Sequence, residues 1–190
     1  MSLQGSITTA DYLPWNTMQV LIQKLFKSGE HKFALMLAIG SYTGLRISDI
    51  LNLVWVDLLD SDSLHIQEKK TKKNRTIHIH EELRIYIKMA WNDTPIKDAR
   101  YVFTSPNDGV YCLQYINRRL KMYNEKYSLG IRFSTHTFRK TFGRRIWEQN
   151  NHSEKSLILL SQVFNHSSVS ITKRYLGIRD EEIKDVYLNL

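Results

Sequence analysis

The chain is poor in the residues that punctuate and cross-link proteins. A single cysteine, Cys112, excludes an intrachain disulfide and a cysteine-based zinc site, and it fits a reducing compartment such as a cytoplasm. Three prolines and eight glycines in 190 residues, with no repeat and no low-complexity tract, leave no obvious linker, so one domain with a sizeable core is expected. The longest apolar run, residues 33–39, is far too short to span a bilayer, and no signal peptide is visible. Positive charge is not scarce: Lys and Arg number 27 against 19 Asp and Glu, a net charge of +8. Such an excess favours a polyanionic partner, because cations that neutralise phosphates release condensed counterions. On charge alone, a solvated basic surface reads equally well.

Hydrophobic periodicity predicts a helix over 14–28 stopped by Gly29, a strongly apolar one over 30–42 broken at Thr43-Gly44, and a third from Arg46 or Ile47 to about Val54. Residues 64–67 and 75–79 alternate as strands, joined by a polar Lys/Thr/Asn turn. A helix over 81–91 follows, then a short extended stretch at 101–103 ending in the turn cluster 105–109. Further helices are expected near 113–127, 136–149, 154–164, 168–176 and 180–188. The expected fold class is α+β, mostly α-helical with a small antiparallel β-sheet.

Several polar residues sit where chemistry is possible. Arg46 follows a Thr-Gly-Leu turn at a helix start, where a guanidinium beside unpaired backbone N–H groups suits a phosphate; a surface pairing with Asp49 is the plainer reading. The turn Lys69-Lys70-Thr71-Lys72-Lys73 can aim one ammonium into a cleft or remain a solvated basic loop. His136 and Arg139 stand at i and i+3, neighbours on one helix face, with Ser134 or Thr135 as the N-cap. His166 lies in a turn nine residues before Tyr175, a tyrosine whose commonest fate is a core aromatic.

Together, the segments TGLRISDI (43–50), IQEKKTKKNRTIHI (66–79), THTFR (135–139) and NHSSVSITKRYL (165–176) resemble the tyrosine recombinase (phage integrase) family. The likeness covers nearly the whole chain and implies the family's catalytic-domain fold. Carried over position by position, it implies Arg46 and Arg139 as paired phosphate-binding arginines and Lys70 as the hairpin lysine, with Lys72 in its place if the turn is shifted. His136 matches the second-motif histidine, His166 the later His/Trp position, Tyr175 the nucleophile, and Asp49 the acidic residue that orients the active-site arginine. Asn165 departs from the usual glycine, but asparagine tolerates left-handed backbone angles. Residues 1–12 are expected as a tail or linker and 13–190 as the catalytic domain. The family's N-terminal core-binding domain has no room here, which suits either a catalytic-domain piece or a naturally short recombinase.

The resemblance implies metal- and cofactor-independent cleavage of double-stranded DNA through a 3′-phosphotyrosyl intermediate, on a DNA-bound homotetramer; its C-terminal tail, 180–190, either docks on a neighbouring protomer or packs on its own domain. Lys73, Arg75, Arg118, Arg119, Lys121 and Arg144, with Lys72, are candidate DNA contacts. The competing readings are a DNA-binding module without cleavage, a type IB topoisomerase, and a metal-dependent nuclease drawing on Asp49, Asp57, Asp60 and Asp62.

Overall fold

The computed structural model describes residues 10–59, 61–69, 73–94, 101–105 and 109–189. Its elements run α1 (Trp15–Lys27), α2 (His31–Thr43), α3 (Ile47–Ile50), α4 (Trp55–Leu59), β1 (Ser63–Gln67), β2 (Asn74–His78), α5 (Glu81–Asn92), α6 (Leu113–Lys126), α7 (Thr135–Gln149), α8 (Glu154–Phe164), α9 (Val169–Leu176) and α10 (Ile178–Leu188). The described residues are mostly helical with one two-stranded antiparallel sheet, as expected. Residues 106–108 of the expected turn cluster and 1–9 of the expected tail lie outside them.

Helix α2 is the hub. Every residue from Phe33 to Ser41 is buried, so the helix has no solvent face and must be enclosed by neighbours. It packs against α1, α5 and α7. Gly40 allows the closest of these approaches: a Cβ there would lie 2.6 Å from the Cβ of Phe138 on α7. Gly44, at φ +63°, then ends α2 in the left-handed conformation that glycine adopts cheaply. This main core reaches α4, α5 and α6. A second, smaller core of Leu157, Leu160, Phe164, Leu176 and Ile178 lies among α7, α8, α9 and α10, with Phe142, Ile146, Trp147 and Tyr175 packed on it.

Two differences from expectation have physical causes. The helix expected from residue 46 or 47 to 54 stops at Ile50, because Val54 bridges Tyr101 and the Leu53 carbonyl accepts from Val102 N–H, and the unexpected helix α4 follows at Trp55. Tail helix α10 starts at Ile178, not at 180: Gly177 (φ +76°) turns the chain at once, and Ile178 is fully buried beneath it.

The hairpin is in register with Leu64 opposite Ile77 and Ile66 opposite Arg75. Its inner face therefore carries Leu64, Ile66, Ile77 and Arg75, while Asn74, Thr76 and His78 are exposed. The Glu68 N–H donates to the Lys73 carbonyl at 2.9 Å, next to the turn.

Candidate active site

Three parts of the chain bring polar groups to one place: the α2–α3 turn, the N-terminal half of α7, and the α8–α9 turn with α9. Ser134 caps α7, accepting from His136 N–H at 3.3 Å, while the Thr137 hydroxyl accepts from Ser134 N–H at 3.1 Å. This reciprocal cap fixes the first turn of α7 and with it His136 and Arg139. Helix α8 ends at Asn165, whose left-handed backbone (φ 52°, ψ 49°) preserves the turn despite the missing glycine. The Asn165 side chain accepts from Lys73 Nζ at 2.9 Å, which ties that turn to the hairpin.

Arg139 is 4% exposed and donates to the Gly44 carbonyl and, at 2.8 Å, to the Phe164 carbonyl. Its guanidinium lies 4.2 Å from the centroid of the Phe164 ring. Arg46 donates to the same Phe164 carbonyl at 3.0 Å and to Glu68 Oε2 at 2.7 Å. Burial lowers the Arg139 pKa to about 10; nearby Arg46 and Arg75 push it the same way, while Tyr175 and Glu68 act against them. At neutral pH it is still a cation.

The Tyr175 ring meets three neighbours edge-on: His166 at 5.4 Å, Phe164 at 5.6 Å and His136 at 6.3 Å between centroids. Its hydroxyl is buried with no hydrogen-bond partner among the described residues. Burial pushes its pKa up to about 12, with Arg139 and Arg46 pulling the other way. The two readings of this tyrosine thus coexist: it packs on the second core, and it faces two guanidinium charges. His166 Nδ1 is 3.0 Å from the fully buried Thr172 hydroxyl. Burial, then Arg139 and Arg46, lower its pKa to about 4, so the ring is neutral at pH 7. Desolvation lowers the His136 pKa too, assisted by Arg139 and Lys140.

Five of the six residues expected to act together, Arg46, His136, Arg139, His166 and Tyr175, surround this spot. Lys70 and Lys72 lie outside the described residues. Asp49 does not hold Arg46. One of its oxygens accepts from the Lys69 N–H at 2.9 Å, and the other is buried without a partner among the described residues. The acid on Arg46 is Glu68, fully buried, which also binds Arg75 through its other oxygen at 2.9 Å. Sequence reasoning passed over Glu68; the signal was a lone carboxylate leading into the lysine-rich hairpin turn.

Three candidate DNA contacts are engaged within the chain. Arg75 sits on the inner hairpin face, bound to Glu68. Arg119 is engaged by Glu30 and the Tyr123 hydroxyl, over the Phe33 and Tyr123 rings, because α6 turns it toward α2. Arg144 is 4% exposed, donating to the Leu176 carbonyl at 2.9 Å and to both Glu181 oxygens, so it ties α7 to α9 and α10. Arg118, Lys121 and Lys73 are exposed. Arg46 gains little from a helix dipole, since α3 is a single turn. Of the four aspartates weighed for a metal, Asp60 lies outside the described residues; among the described residues no three His, Cys, Asp or Glu form a cluster able to hold an ion. No helix among them is long and apolar enough to cross a membrane.

A sequence profile of the phage integrase family matches residues 12–182. Over 176 residues the chain is 33% identical to Probable integrase/recombinase YoeC of Bacillus subtilis (strain 168), covering 90% of each protein. It is 25% identical over 150 residues to a tyrosine recombinase of Agathobacter rectalis, covering 77% of this chain but only 48% of that protein. Among solved structures, the XerA recombinase superposes with a TM-score of 0.71 at 20% identity, over 96% of this chain and 66% of that one. A lambda integrase dimer bound to a COC′ core site superposes with a TM-score of 0.65 at 17% identity, over 90% and 49%. In sequence and in fold, the chain belongs to the phage integrase family, the tyrosine recombinases.

Proposed function

We propose that this chain is the catalytic domain of a site-specific DNA recombinase, one that breaks and rejoins duplex DNA for a phage, transposon or other mobile element. The observation that carries the reading is Tyr175 beside Arg46, Arg139, His136 and His166. A nucleophile, two fixed cations and two neutral imidazoles then stand together. Tyr175 attacks the phosphorus; the 5′-oxygen leaves, and a 3′-phosphotyrosyl bond keeps the energy needed for rejoining. A phenol with its pKa near 12 is a poor nucleophile at pH 7, so it needs a proton acceptor. His136, kept neutral by its depressed pKa, is that acceptor. Arg46 and Arg139 exchange the Phe164 carbonyl for the non-bridging oxygens and stabilise the charge that builds there. His166 donates to the phosphate from Nε2, the tautomer in which its Nδ1, 3.0 Å from the Thr172 hydroxyl, accepts from that hydroxyl. Lys70 protonates the leaving 5′-oxygen. Fixed cations do the work of a metal, so the reaction proceeds in EDTA.

The exposed Arg118, Lys121 and Lys73, with Lys72, contact the DNA backbone, which sets register without reading sequence. On α10, Ile183, Val186, Tyr187 and Leu188 are 47%, 64%, 73% and 68% exposed, and none of them belongs to either core cluster of the described residues. This apolar set supports exchange of the tail between protomers of a DNA-bound tetramer.

Nicked duplexes selected from random sequence for covalent capture by the wild-type chain supply a substrate. Covalent protein–DNA adduct is expected in EDTA with the wild type and none with Tyr175→Phe. Adduct formed by the phenylalanine variant sinks the assignment of the nucleophile; dependence on a divalent metal sinks the mechanism.

A further inference from the structure

We propose that Glu68 and Arg75 are positioning residues of the cleavage centre: the carboxylate fixes Arg46, and Arg75 restores the positive charge that this carboxylate would otherwise cancel. The inference rests on the cleavage reading above. Glu68 is fully buried, and each of its oxygens holds one guanidinium, Arg46 at 2.7 Å and Arg75 at 2.9 Å. A carboxylate so desolvated exists as an anion only when cations pair with it. One cation would satisfy the charge but leave a neutral Arg46–Glu68 pair facing the phosphate. With Arg75 included, the Arg46–Glu68–Arg75 group itself carries a net charge of +1.

The hairpin builds this arrangement. The Glu68–Lys73 backbone bond holds the turn, and the Ile66–Arg75 register puts Arg75 on the inner face. Arg75 comes close enough to Arg139 to contribute to the lowering of its pKa. Three guanidiniums crowded together repel one another, and Glu68 lets two of them stand side by side. An incoming phosphate then meets Arg46 already held on one edge.

Covalent-complex formation is measured for wild type, Glu68→Gln and Arg75→Gln on nicked duplexes with either a phosphodiester or a neutral methylphosphonate at the scissile position. Glu68→Gln is expected to slow phosphodiester cleavage by about 10²-fold, and Arg75→Gln by about tenfold. Both losses are expected to shrink on methylphosphonate, because removing one oxygen's charge lessens the demand for a presented cation. A merely structural role predicts the same fold-loss on both substrates; that result, or no loss in either variant, overturns the proposal. Should Glu68→Gln fail to fold by circular dichroism, Arg75→Gln decides alone, since it leaves the Arg46–Glu68 pair intact. Failure of the wild type to form any adduct instead strikes at the cleavage reading.

Discussion

Burial decides the protonation of His166 before any substrate arrives. Its pKa falls from the ordinary 6.5 to about 4 in the folded protein. Between those values the unfolded chain binds more protons than the native one, so stability rises with pH across the window. The contribution is complete above about pH 6.5 and is lost as pH falls toward 4. Urea unfolding at pH 7 and pH 5, at constant salt, is expected to give a lower unfolding free energy at pH 5. His166→Gln should flatten that difference; an unchanged slope means the imidazole is not held neutral by the fold. At this scale the sequence was half legible. The residues around Tyr175 were named through the resemblance of their motifs to the tyrosine recombinases; local spacing alone placed His136 and Arg139 on one face of α7 and left each with a plainer reading. The partner of Arg46 was not named, because Glu68 is 22 residues away and only the folded hairpin delivers it. Likewise, a count of arginines cannot separate Arg118, exposed on α6, from Arg119, whose charge Glu30 takes up.

At the level of elements, the α2–α7 crossing controls the site. Gly40 and Phe138 meet there, Arg139 is the next residue, and Arg139 reaches back to the carbonyl of Gly44 at the end of α2. Gly40→Ala would bring its new Cβ within 2.6 Å of Phe138 Cβ, an atom that moves only if the helix moves. The expected cost is about 1–3 kcal/mol of unfolding free energy. A loss of cleavage activity in the protein that remains folded should accompany it, because the shift carries Arg139 along. A variant with wild-type stability and rate would show that the contact is slack. Nearly all the helices were readable from apolar period, and the hairpin from its alternation. The end of α3 at Ile50 and the separate α4 were not, because the break between them depends on Val54 pairing with Tyr101, 47 residues further on and invisible to local pattern.

For the molecule as a whole, α10 behaves as an appendage fastened at its base. Ile178 is buried, Glu181 meets Arg144 and Glu182 meets Lys173, and beyond these the apolar side chains face solvent. Removing residues 183–190 should change the unfolding free energy by no more than about 0.5 kcal/mol, since no core contact is lost. The same truncation should reduce cooperative assembly on DNA in band-shift titrations; unchanged cooperativity would argue against tail exchange. The other large-scale feature is the shared carbonyl of Phe164. Arg46 and Arg139 directly follow the main-core residues Leu45 and Phe138, and Phe164 belongs to the second core, so their bonds to its carbonyl join the two cores. A phosphate that captures both guanidiniums unpicks that join. On the proposed reading, DNA binding loosens the join between the two cores, while the Arg144 bond to the Leu176 carbonyl still holds the end of the helix that carries Tyr175.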